Sequence, residues 1–267
     1  MVSVVRMRRA DRQKGPNGSL ARGHVGNVVA MTPATELASR TWHELVGAEP
    51  TLVVPVGAVE QHGPHLPLDT DARIADAVSR EAVAALDDSS DVLVAPSISY
   101  GASGEHEGFP GTVSIGREAL RLLVLEYGRS AMRWAGRLLF VNAHGGNAHA
   151  IADAVARLRY EGRDAAWFPC AFPSADAHAG LTETSVVLDL APESVRRDLL
   201  AAGNTAPIAE LLDPMRKGGV AAVSATGVLG DPTAANPALG RRLLADLAGQ
   251  LAESVRAWDV DEAGRLR

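Results

Sequence analysis

The 267-residue chain holds one cysteine, Cys170, so no disulfide can form within it, and that usage suits a reducing cytosol. Positive charge is in deficit, with 26 Lys and Arg against 32 Asp and Glu, which leaves no basic footprint for nucleic acid. No run of 18 apolar residues is present, and no membrane span is expected. Compact zinc signatures of the HExxH or CxxC type are missing, and so is a GxSxG nucleophile elbow. The glycine-rich stretch SYGASG (99–104) lacks the Lys-Ser/Thr ending of a phosphate loop, which argues against nucleotide binding. Cys170 lies among apolar residues and prolines, as a buried small hydrophobe would, so covalent catalysis has no obvious nucleophile.

What is present is enough hydrophobic residue, 46%, for a substantial core. Residues 1–35 form a basic leader with Arg6, Arg8, Arg9, Arg12, Lys14 and Arg22 against the single acid Asp11. Without the apolar centre of a signal peptide, the leader reads as a disordered extension or as a start placed too far upstream. Residues 36–267 read as one domain. Within them, apolar runs at 51–59, 91–96, 137–143 and 165–170 alternate with helical patterns at 71–86, 117–134, 147–161 and 183–190, and a long amphipathic helix closes the chain at 238–258. This alternation predicts an α/β fold with a parallel sheet. In such a sheet, sites form at the carboxyl ends of the strands.

Each strand is followed by a stretch rich in acids and histidines. Glu60 and His62, in VEQHGPHLPLDTD (59–71), are two apart on an extended segment and so point the same way. Asp71 falls at a helix start, where an ordinary first-turn acid is equally at home. His144 leaves the third strand ahead of Gly145 and Gly146, which let the backbone turn closely. Glu183 opens a helix five residues after His178. Carboxylates and imidazoles converging from four loops are suitable ligands for a divalent metal.

The segments GAVEQHGPHLPLDTD, GEHEGFPGT, VNAHGGN, HAGLTETS and TGVLGDPT resemble, in this order, successive blocks of the creatininase family of amidohydrolases, over about residues 45–258. The resemblance implies a three-layer α/β/α fold with a mostly parallel sheet, a homo-oligomer, and two divalent metal ions per subunit: zinc, iron(II) or manganese. It places the ligands at Glu60, His62, Asp71, His144 and Glu183, with Asp71 as the bridge. Ala143 stands where the family often has glycine. Gly146 stands where creatininase itself has a glutamate, so the missing carboxylate falls to Glu183, which argues against creatinine as substrate.

YGASGEHEGFPGT, DAHAGLTETS, GNTAPIAELL and GVLGDPTAANPALG are similar to the mycofactocin-system branch of that family. That likeness implies a peptidase that releases a decarboxylated, cyclised Val-Tyr-derived dipeptide from the C-terminus of the modified mycofactocin precursor peptide. In such a site His178 is the expected proton shuttle, with His106 and its neighbour Glu105 as the next choice. Phe109, Gly145 and Gly146 are expected to shape the substrate pocket. Asn142 and Asn147 would orient the His144 loop, and His65 and His149 would stand outside the ligand set. The rival readings are an amidohydrolase of small lactams or formamides, a non-catalytic peptide scaffold, and a nucleic-acid binder using the leader.

Overall fold

A computed structural model describes residues 35–87, 91–173 and 175–267, so the expectation for the leader lies, but for Thr35, outside the described residues. Among the described residues four strands form the sheet: β1 (Thr51–Val56), β2 (Val92–Val94), β3 (Arg137–Asn142) and β4 (Ala165–Pro169). Around them lie α1 (Thr70–Ala84), α2 (Gly116–Ala131), α3 (Ala148–Tyr160), α4 (Leu181–Leu190), α5 (Ile208–Gly218) and α6 (Pro237–Ala257). The strands pair in the order β2-β1-β3-β4, every pair parallel.

Alternating side chains give the sheet two buried faces, so its strands are almost continuously apolar. Leu52, Val54, Val56 and Phe140 pack against Leu120 and Val124 of α2 and against Ile151 and Leu158 of α3. Val53, Leu139 and Val141 turn the other way, onto Ile74 and Val78 of α1, Val186 of α4 and Leu244 and Leu251 of α6. Three layers result, as expected for this class.

The chain leaves β1 for β2 on one side and then crosses back to β3 and β4 on the other. Direction therefore reverses between β1 and β3, and a crevice opens at their carboxyl ends. Glu60 and His144 emerge at that crevice.

Two details depart from the sequence pattern. β1 ends at Val56, short of the apolar run 51–59, because Val59 leaves the ladder to make an antiparallel bridge with Val113. α5 has no counterpart among the expected elements. Its apolar stripe, Ile208, Leu211, Leu212 and Met215, lies on a helix of only 11 residues that contains Pro214, which obscures the helical period.

The end of β1 touches the start of α1. A Cβ on Gly57 would lie 2.4 Å from the backbone nitrogen of Ala72 and 2.8 Å from the carbonyl carbon of Asp71, so no side chain fits without moving the helix. At Gly145, by contrast, a Cβ meets nothing within 4 Å. Gly57→Ala is expected to destabilise the fold by about 1–3 kcal/mol, and Gly145→Ala to stay within about 0.5 kcal/mol of the parent. Urea midpoints at constant m-value measure both, and an unchanged midpoint for Gly57→Ala would mean that the helix start yields freely.

Candidate metal centre

The loop after β1 is closed by Glu60 N–H donating to Leu68 O at 2.9 Å, and Gln61 N–H is held by Thr112 Oγ1 at 3.1 Å. This extended run aims Glu60 and His62 inward, and both are fully buried. At the head of α1, Thr70 donates its hydroxyl to Pro67 O, and Asp69 pairs with Arg73 at 2.7 Å. Asp71 makes neither of these surface links and is buried, facing the crevice. β3 delivers His144, and the segment after β4 delivers His178 and then Glu183 in the first turn of α4.

These side chains meet. His144 Nδ1 lies 3.2 Å from Glu60 Oε1 and 3.3 Å from Asp71 Oδ2. His62 Nε2 lies 3.1 Å from Asp71 Oδ1 and 3.9 Å from Glu183 Oε2. The potential ligand atoms of Glu60, Asp71 and His144 fall within 4.8 Å of one another, and so do those of His62, Asp71 and Glu183. Asp71 belongs to both triads, presenting one oxygen to each histidine. A third group of the same size joins Glu60, His62 and His178.

Backbone carbonyls fix which imidazole nitrogen faces inward. A carbonyl only accepts, so His62 Nδ1 carries its hydrogen toward Glu60 O at 3.2 Å, His144 Nε2 toward Ala102 O at 3.2 Å, and His178 Nε2 toward Gln61 O at 2.8 Å. In the neutral rings the other nitrogen then presents a lone pair to the carboxylates. Lone pairs and carboxylates repel unless a cation lies between them. Both oxygens of Glu60 and Oδ2 of Asp71 are buried without a hydrogen-bond partner, an arrangement too costly to persist uncompensated. The mixture of carboxylate and imidazole donors fits a divalent ion.

Without a metal, protons take that place. Burial alone would depress the His62 imidazole, but Asp71, Glu183 and Glu60 outweigh it and hold the group up at about 10. His144 is raised well above its ordinary value against the same burial, by Glu60 and Asp71. Burial works against the charged form of Asp71, yet His62 and His144 hold its carboxyl well below the usual range. Burial pushes Glu183 up to about 7. His106 and His178 go the other way, lowered by burial, His106 to about 4 and His178 well below its ordinary value.

Asn147 binds the loops together. Its amide nitrogen donates to Gly57 O at 2.9 Å and to Asn142 Oδ1 at 3.1 Å, and its oxygen accepts from Ala102 N–H at 2.8 Å. Asn142 in turn donates to His144 O at 2.8 Å. Gly146 is small for a reason other than turning, because a Cβ there would lie 2.4 Å from Ala102 O and 2.5 Å from His144 Nε2. His65 is buried, with Nε2 2.9 Å from Thr184 Oγ1, and His149 is exposed.

The sequence alone does not single out Gln61, because an amide between two candidate ligands carries no signal beyond its position. Its Nε2 lies 2.9 Å from His106 Nδ1, 3.0 Å from His178 Nε2 and 3.2 Å from Gly227 O, while its Oε1 accepts from Gly63 N–H. With that amide donating to Nδ1, neutral His106 turns an N–H toward Glu60 Oε1 at 3.3 Å, unlike the other three histidines. Asp176, which the sequence likewise does not single out, accepts from Leu181 N–H and Thr182 N–H and so caps α4.

A cavity of about 480 Å³ opens over the centre, lined by Glu105, His106, His144, Gly145, Gly146 and His178 among others. Phe109 is not on its walls: it packs against the Leu211, Val220 and Leu229 cluster, and the phenylalanine lining the cavity is Phe172.

Residues 35–255 match the family model described as Creatininase, creatinine amidohydrolase. The chain is 58% identical over 230 residues to the mycofactocin precursor peptide peptidase of Mycolicibacterium smegmatis, covering 85% of this chain and 92% of that one. It is 54% identical over 237 residues to the protein of the same name from Mycobacterium tuberculosis, covering 86% and 94%. A solved creatininase mutant of the Zn-Zn type aligns with a TM-score of 0.72 at 26% identity, over 85% of this chain and 99% of that one.

Metal uptake should displace protons from His62, His144 and Glu183. At neutral pH His62 and His144 are charged in the metal-free protein, so apparent zinc affinity is expected to strengthen as pH rises from 6 to 9. Calorimetry in buffers of different ionisation enthalpy counts the protons. Uptake with no proton release would overturn the assignment of these histidines.

Proposed function

Because the chain belongs to the creatininase family, a family of hydrolases, we propose that it is a metal-dependent peptidase acting on the mycofactocin precursor peptide, the substrate named for its relatives. The bond cut is the one that frees the C-terminal decarboxylated, cyclised Val-Tyr-derived unit. The observation that carries the metal-dependent part is Asp71, shared between two triads of donors in which both oxygens of Glu60 and Oδ2 of Asp71 are buried without a hydrogen-bond partner. Glu60, Asp71 and His144 would hold one ion, and His62, Asp71 and Glu183 the other. Two bound divalent ions supply a water acidic enough to attack at neutral pH and a polarised amide carbonyl. Zinc, iron(II) and manganese all accept this donor set.

The chain's own residues move the proton and hold the geometry. His178 has its Nε2–H committed to Gln61 O and its Nδ1 free, 3.9 Å from Glu60 Oε1. Nδ1 takes the proton released during attack and returns it to the leaving amine. His106 is less suited to that exchange, since its inward nitrogen already bears hydrogen and faces Glu60. Glu105 lies 3.6 Å from His144 Nε2 at the cavity edge, where it steadies that ring. Gly145 and Gly146 keep the floor open for the peptide backbone.

Assembly into a homo-oligomer belongs to the same proposal. Trp42 and Val46, each 70% exposed, lie beside Glu49, Gly136 and Asp164, which come just before β1, β3 and β4. With Leu45, Met132 and Trp134 they form an apolar patch rimmed by Glu49, Arg133, Arg163 and Asp164 at the opposite end of the sheet from the site, where contact between copies would leave the cavity clear.

Incubation of the maturase-processed precursor peptide with the metal-loaded protein is expected to release the C-terminal unit, read by mass spectrometry, and a chelator, Glu60→Gln or His144→Ala should abolish it. An untouched peptide with properly metallated protein would overturn the peptidase and turn the search to lactams and formamides. His178→Ala is expected to slow turnover about 10²–10⁴-fold with metal content preserved. Loss of metal from that variant, by elemental analysis, would make His178 a ligand instead.

A further inference from the structure

The stretch TGVLGDPT (226–233) is one of the segments that resemble the family, yet it supplies none of the candidate ligands. It lies against the loop that carries the proton shuttle: His178 N–H donates to Leu229 O at 3.1 Å, and Leu229 N–H donates to His178 O at 2.9 Å. From the other edge, Asn204 N–H donates to Val228 O at 3.1 Å and Gly203 N–H to Gly230 O at 2.9 Å. The backbone of His178 is thereby held in register with a loop that is itself held from behind. Gly227 heads the stretch with φ +80°, a left-handed conformation that favours glycine, and its carbonyl accepts from Gln61 Nε2 at 3.2 Å. A Cβ there would fall on the Gln61 amide.

Gln61 is buried, and its surroundings determine which way its amide points. Oε1 accepts from Gly63 N–H at 2.9 Å, so turning the amide over would set donor against donor at Gly63 and acceptor against acceptor at Gly227. One amide hydrogen goes to Gly227 O, and the other goes to His106 Nδ1 at 2.9 Å. The main-chain carbonyl of the same residue accepts from His178 Nε2–H at 2.8 Å. With both amide hydrogens committed, the 3.0 Å approach of Gln61 Nε2 to His178 Nε2 brings two donors together and carries no hydrogen bond. The rings of His106 and His178 lie 4.4 Å apart, both line the cavity, and each turns a nitrogen toward Glu60 Oε1, at 3.3 and 3.9 Å. What each can do there depends on which of its nitrogens bears hydrogen.

We infer that Gln61 is a positioning residue that divides the proton work between these two histidines. Its main-chain carbonyl takes the Nε2 hydrogen of His178 and leaves Nδ1 accepting toward the centre, and its side-chain amide occupies Nδ1 of His106 and leaves Nε2 donating toward Glu60. The consequence for turnover rests on the peptidase reading; the geometry does not. His178 alone can take the proton released during attack, while His106 steadies Glu60 with an N–H and presents no inward lone pair to compete for that proton or for a metal. The 226–233 stretch is the mount of this arrangement, since it fixes both the Gln61 amide and the backbone of His178.

Nitrogen NMR of the zinc-loaded full chain, labelled at histidine, reads which ring nitrogens bear hydrogen, and the signals missing from His106→Asn belong to His106. The parent spectrum is expected to show hydrogen on Nε2 alone in both rings. In Gln61→Glu an ionised side chain can only accept, so hydrogen is expected on Nδ1 of His106, while His178, bonded to the main chain of residue 61, should be unchanged. Hydrogen on Nδ1 of either ring in the parent would overturn the inference, as would an unaltered His106 in a Gln61→Glu protein of normal metal content. Gln61→Met, of similar length but without the amide, should lower kcat on the processed precursor about 10–100-fold with KM and metal content unchanged. An unchanged kcat, or a loss confined to KM, would likewise overturn it. Failure of the parent protein to cut the processed precursor would instead overturn the peptidase reading, with the parent spectrum still deciding the inference.

Discussion

Two carboxylates, Glu60 and Asp71, lie almost wholly out of water at the carboxyl end of the sheet, and three of their four oxygens have no hydrogen bond to protein. Such groups are tolerated only beside positive charge. In the metal-free protein the protonated rings of His62 and His144 provide it. In the loaded protein divalent ions would provide it, and the same rings would become neutral donors. The local structure is compatible with either form because the outer nitrogen of each ring is already committed to a backbone carbonyl, so only the inner nitrogen exchanges a proton for a metal.

Topology supplies the remaining constraint. β1 and β3 are neighbours that the chain reaches by opposite routes, so the segments leaving them diverge and open a crevice. Asn147 spans that crevice from within, linking Gly57, Ala102 and Asn142, which follow or end three different strands. The site is thus held by segments distant in sequence but fixed in space by one amide side chain.

Much of this was legible in the sequence. The four strands and the helices between them show as alternating apolar runs because a parallel sheet is buried on both faces. Glu60 and His62 are legible from their spacing, and Asp71, His144 and Glu183 from the positions at which they follow strands. The unread parts share a cause. Gln61, Asp176 and Asn147 act through hydrogen bonds to partners far away in the chain, and such pairing has no periodicity. Asn147 reads from the sequence as an orienting group for the His144 loop, but its span across three loops has no sequence signal. α5 was hidden by Pro214 and by a stripe only half used for packing. Phe109 and Phe172 are indistinguishable as residue types, and only the fold decides that the second lines the cavity.

α6 lies beneath both helices that carry acids to the centre: it packs on α1, which bears Asp71, and on α4, which bears Glu183. Leu244, Leu247 and Leu251 supply much of that support. Residues 237–257 follow Glu60, His62 and Asp71 by more than 160 positions, so a nascent chain carries those donors well before the helix that backs α1 and α4 exists. A chain cut before α6 would have the donor residues without the packing that backs α1 and α4.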